Sequence, residues 1–101
     1  MIVQFSIVPL GVGVSVSEYV AKVIKIVDES GISYKLHAMG TILEGEWDEI
    51  FSLIKRCRDA ILKETERVII EIKIDDRKGA KGRLEGKVFS VEKKLGKEIK
   101  K

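Results

Sequence analysis

The sequence predicts one α+β domain in the order β-α-β-β-α-β, followed by a C-terminal helix. Three observations carry this. Runs of alternating polar and apolar residues, the mark of strands with one buried face, recur along the chain. Two longer segments between them place apolar residues every three or four positions, as amphipathic helices do. The length of 101 residues suits a single core, so residues 1–101 are expected to form one domain.

Ile2 to Val8 alternates, with Val3, Phe5 and Ile7 on one face and Gln4 and Ser6 on the other. Pro9 stops the strand, and Gly11-Val12-Gly13 makes a flexible connection. A helix then opens at Ser15-Val16-Ser17-Glu18: Ser15 with Glu18 has capping-box spacing, and Ser17 is the alternative cap. Val16, Val20, Val23 and Val27 form its apolar stripe, and Gly31 stands where a C-terminal cap belongs.

Ile32 to Met39 alternates again, and Gly40 marks a bend. Thr41 to Glu44 is a short further run, either the antiparallel partner of that strand or its continuation. The second helix starts from Gly45, with a stripe of Trp47, Ile50, Phe51, Ile54, Cys57, Ile61 and Leu62. Asp48 and Glu49 lie in its first turn, where the helix dipole favours negative charge. Val68 to Asp75 is the last strand, either half-buried or at a subunit contact. Residues 77–101 read as a basic loop, a short helix carrying Leu84, Val88, Val91 and Leu95, and a frayed end from Lys97. Two β-α-β halves of similar length point to the split arrangement of a ferredoxin-like sandwich, with helices on one sheet face. The other face has mixed polarity, and Met39 and Ile69 on it suggest self-association.

Hydrophobic residues at 45% with charged residues at 35% describe a folded rather than a disordered chain. No apolar run nears the roughly 20 residues that span a bilayer, which argues against a membrane protein. Met1 leads straight into a strand with no secretory pattern, so a cytoplasmic location is expected. The net charge of +3 is uneven. Residues 1–76 hold nine Lys/Arg against thirteen Asp/Glu, and residues 77–101 hold ten against three. The basic character belongs to the tail. That tail could dock on an acidic partner or RNA, or be a solvated helix. Nucleic acid is disfavoured because Phe5, Tyr34, Trp47 and Phe51 mostly fall on core-facing positions, not on the open sheet face that would stack bases.

Catalytic motifs do not emerge. Gly11-Val12-Gly13 lacks the third glycine of a dinucleotide fingerprint, and no phosphate-binding loop ends in Lys-Ser/Thr. One His and one Cys cannot build a metal shell, although carboxylates could hold a hard cation weakly, and no metal or cofactor is expected. Cys57 sits within the helical stripe as a packed thiol and cannot form an internal disulfide. The best candidate site is Met39-Gly40-Thr41-Ile42-Leu43-Glu44-Gly45. Its glycines let a ligand come close, and a carboxylate there could accept from an exocyclic amine or offset a cationic ring. The plainer alternative makes Thr41 a strand residue and Glu44 a solvated charge. Ser15 and Ser17 could cradle a polar group at the helix start or simply cap it. His37 is either a surface residue or a ligand contact.

Taken in order, Pro9-Leu10-Gly11, Ser15-Val16-Ser17-Glu18-Tyr19-Val20, Met39-Gly40-Thr41 with Glu44-Gly45, and Arg67-Val68 with Ile72-Lys73-Ile74-Asp75-Asp76-Arg77 resemble a known pattern. The later Lys87-Val88 and Ser90-Val91 extend it. The chain resembles the small thiamine-binding protein family related to YkoF over nearly its whole length. The resemblance implies a ferredoxin-like fold, assembly as a homodimer or homotetramer, and binding of thiamine or its hydroxymethylpyrimidine moiety as a non-catalytic sensor or carrier. It also implies Ser15, Ser17, Met39, Thr41 and Glu44 as ligand-binding residues. One departure is His37-Ala38 before Met39, where relatives often carry a proline.

Overall fold

The computed structural model describes residues 1–11, 13 and 16–100. The elements follow as β1 (Ile2–Pro9), α1 (Ser17–Glu29), β2 (Ser33–His37), β3 (Gly40–Glu44), α2 (Trp47–Leu62), β4 (Val68–Asp75) and α3 (Arg83–Leu95). The four strands form one sheet in the order β2-β3-β1-β4, and every neighbouring pair is antiparallel. Each of the first two helices therefore carries the chain past one intervening strand. This α+β order is consistent with a ferredoxin-like sandwich.

Alternation sorts the side chains as the sequence suggests. Val3 lies between Leu43 and Ile74, and Phe5 between Thr41 and Ile72. Val3, Phe5 and Leu43 meet Val23 and Val27 of α1 and Ile50, Leu53, Ile54, Cys57 and Ile61 of α2 in one buried cluster. On the other face α3 meets only β3 and its neighbourhood, and Met39 and Ile69 are exposed on or beside it.

Several local expectations change. The residue at the α1 N-cap is Val16, whose carbonyl accepts from the N–H groups of Tyr19 and Val20, each at 3.0 Å. Ser17 is thus the first helical residue rather than the cap, and Ser15 lies outside the described residues. The C-terminal stop does fall at Gly31, with φ +79°. The second helix begins at Trp47, two residues past Gly45. Glu46 caps it, and the Glu49 carboxylate accepts from the Glu46 N–H at 2.8 Å, closing a capping box. Trp47 leaves the core stripe: in this first turn the sheet does not reach it, and it is 54% exposed while stacking on Phe51 at 4.5 Å between ring centroids.

The chain after α3 does not simply fray. Gly96 adopts φ +76°, the N–H groups of Gly96 and Lys97 donate to the Glu92 carbonyl, and the Ile99 N–H donates to the Glu92 carboxylate at 3.0 Å. Only Lys101 of that tail lies outside the described residues.

Candidate functional site

β1 runs four residues past its last partner on β3, since Phe5 pairs with Thr41 and Ser6 to Pro9 pair only with β4. The β2–β3 hairpin turns at Ala38 and Met39, closed by His37 opposite Gly40. A cleft of about 360 Å³ opens between this hairpin, the free flank of β1 and the first turns of α1. Its apolar walls come from Phe5, Ile7, Leu36, Val16, Val20 and Ile24. Its polar groups are Ser6, His37, Thr41 and Glu71.

The local causes are readable. The valine stripe of α1 is longer than the core needs: Val23 and Val27 are buried, while Val16 and Val20 face the cleft. Gly40 is bare because a Cβ there would stand 2.9 Å from the Phe5 carbonyl oxygen, so any side chain would push β3 off β1 at the cleft floor. Neither Ala38 nor Met39 takes a positive φ, so the turn needs no glycine at either position. The His37 Nδ1 accepts from the Met39 N–H at 3.3 Å, which leaves Nε2 of the neutral ring as a donor.

Of the residues singled out from sequence, Met39 and Thr41 line this cleft. Thr41 is buried at its base, and Met39 stands 81% exposed at the hairpin tip. Ser17 is adjacent in sequence to Val16, which lines the wall. Glu44 lies elsewhere. Three positions from Thr41 in one strand, it points to the opposite sheet face. There its carboxylate accepts from the N–H groups of Arg83 at 2.8 Å and Leu84 at 3.3 Å, capping α3 from another element. Thr41 and Glu44 line different cavities, Glu44 standing at the far end of β3 from the hairpin. The carboxylate that does line the cleft is Glu71, opposite Ser6 on β4. Alternation along β4 puts Glu71 on the open face, but only the strand order brings it near the hairpin.

Cys57 is fully buried, and burial pushes its thiol up to about 11 against a small opposing effect of Arg56. It offers no thiolate at neutral pH. Among the described residues no group of three His, Cys, Asp or Glu is placed to hold a metal ion, and no helix is long and apolar enough to cross a membrane.

The family model described as thiamine-binding protein matches residues 3–92. The UPF0045 protein MJ1052 of Methanocaldococcus jannaschii is 37% identical over 91 residues, spanning 90% of this chain and 91% of its own. The UPF0045 protein YqgV of Bacillus subtilis is 41% identical over 100 residues, spanning 93% and 96%. The crystal structure of MJ1052 superimposes with a TM-score of 0.83 at 38% identity, covering 89% of this chain and 93% of that one. A Thermotoga maritima structure, at 23% identity and a TM-score of 0.79 over 89% of this chain and 96% of its own, shares the fold. With nearly its whole length under one family model, the chain belongs to the thiamine-binding protein family.

Proposed function

We propose that this protein binds thiamine or its hydroxymethylpyrimidine moiety, without catalysis, in the cleft between the β2–β3 hairpin, β1 and α1. The observation that carries the reading is the lining of that cleft: apolar walls broad enough for one heteroaromatic ring, with a few polar groups among them. Ile7, Leu36 and Val20 supply surface for the ring faces. Glu71 supplies the carboxylate for an exocyclic amine or a cationic ring, a role that sequence alone assigned to Glu44. Thr41, Ser6 and His37 add donors and acceptors. Binding rather than catalysis fits a chain whose single thiol is buried and protonated. Calorimetric titration of the purified chain with thiamine and with hydroxymethylpyrimidine should give saturable heat with at least one of them. Absence of heat at millimolar ligand for both overturns the reading.

The same proposal includes a homodimer or homotetramer. Helix α3 buries none of its own residues, and Phe89, Val91 and Leu95 are exposed along it. Edge strand β4 leaves Ile69, Ile72 and Ile74 exposed as well. The radius of gyration of 15.1 Å exceeds the roughly 13 Å of a compact domain of this length. Light scattering should report two or four times the 11.3 kDa chain mass, and a monomer at micromolar concentration contradicts the assembly.

A further inference from the structure

We propose a second site, at the opposite end of the sheet from the cleft, that binds a phosphoryl oxyanion between Arg77, Arg83 and Lys87. A pocket of about 60 Å³ lies there, lined by these three cations with Ile2, Glu44 and Asp75. Ile2 pairs with Glu44 on one side and Asp75 on the other, which sets the pocket several residues along β1 from the cleft. It has room for several water-sized groups, enough for one tetrahedral oxyanion.

The charge balance favours an anion. Both carboxylates are already engaged, Glu44 by the Arg83 and Leu84 N–H groups and Asp75 by the Lys87 ammonium. Neither guanidinium enters an ion pair among the described residues. They stand close enough to be felt: the Asp75 carboxyl is held below its ordinary range chiefly by the Lys87 hydrogen bond, with Arg77 and Arg83 adding to it. Planar guanidinium forks match phosphate oxygens in pairs, which makes arginine the apt residue here.

The backbone is shaped to bring the two arginines together. Between β4 and α3 the chain turns through Gly79 at φ +77° and Gly82 at φ +65°, and the Ala80 N–H donates to the Arg77 carbonyl at 3.0 Å. Inside α3, Gly86 costs about 1 kcal/mol relative to alanine. A Cβ there would stand 3.1 Å from Arg83 Nη1, so the glycine clears the lane in which that guanidinium lies. The helix N-terminus itself is not the site, since Glu44 covers it.

The test is titration of the full chain with sodium phosphate against sodium chloride of matched ionic strength, followed by the backbone amide NMR signals of Ala80, Arg83 and Leu84. Phosphate should give saturable shifts that chloride does not reproduce. The variant Arg77→Gln with Arg83→Gln should weaken phosphate binding tenfold or more. A parallel titration with glycerol phosphate separates the sources: a tighter ester identifies a phosphorylated metabolite, and equal affinity identifies free phosphate. Coincident phosphate and chloride shifts in the wild type overturn the site whether or not the variant folds. Unchanged affinity in a folded double variant overturns it too. Thiamine binding in the cleft is read separately and can fail or succeed independently.

Discussion

Leu43→Ala should lower the free energy of unfolding by about 2–5 kcal/mol, the range for leucine truncation at a well-packed site. Leu43 is fully buried in the middle of the sheet, flanked by Val3 on β1 and Tyr34 on β2, and beneath the two helices. Truncation leaves a cavity that strands on both sides hold open, so relaxation recovers little. Domains of this size have only about 5–15 kcal/mol in total, so the loss is a large share. Leu36→Ala is the contrast. Leu36 shares the helix-covered face by alternation, yet it lies on edge strand β2 and is 53% exposed. Its cost to stability should stay within about 0.5 kcal/mol, as for other surface changes. Urea unfolding of the two variants reads the difference directly, and equal losses would show that the sheet order is wrong.

Glu44→Ala should release the N-terminal end of α3 from the sheet. Two backbone N–H groups then lose a charged acceptor, at about 1.5–3 kcal/mol for hydrogen bonds of this kind. Little else holds the helix down. No α3 residue is fully buried, Leu84 and Val88 are only half-buried, and the pairs Lys87–Asp75 and Lys35–Glu85 are exposed and contribute little. Hydrogen exchange should therefore quicken at Arg83, Leu84 and along α3, while β1 and α2 keep their protection. Acid acts in the same direction. The Asp75 carboxyl is lowered by its Lys87 partner, so that tie is intact above the ordinary carboxylate range and is lost as pH falls through the lowered value. Unchanged exchange in α3 would contradict the cap.

The strands and the two covering helices were legible because alternation and helical spacing are local, and each was written plainly in valine, isoleucine and leucine. What those patterns do not carry is the order of strands across the sheet. Ile72 and Ile74 fall on the helix-covered face by alternation, but β4 lies at an edge that two helices cannot blanket, and both stay exposed. Trp47 matched the α2 stripe, yet a first-turn position lies beyond the sheet.

The site was legible in part for the same reason. The stretch from Met39 to Thr41 does line the cleft, and Gly40 does permit a close approach, though of β1 backbone. Glu44 was a candidate ligand carboxylate because it shares the glycine-bracketed stretch Gly40–Gly45 with Thr41, three residues before it. In a strand that odd spacing sends the two side chains to opposite faces, and the partner of Glu44 lies about forty residues away in α3. Glu71 escaped notice because its nearness to the hairpin depends on β1 lying between β3 and β4.

The most direct test of where the ligand sits is a calorimetric comparison of Glu71→Gln and Glu44→Gln for thiamine and hydroxymethylpyrimidine. Both changes remove one negative charge and keep an amide of similar shape. Loss of a charge-assisted hydrogen bond to the ligand should weaken binding at least tenfold for Glu71→Gln. Glu44→Gln should bind within two- to threefold of wild type, because its carboxylate serves α3. The reverse pattern, with Glu44→Gln abolishing binding and Glu71→Gln silent, would place the ligand beside the start of α3 and contradict the cleft.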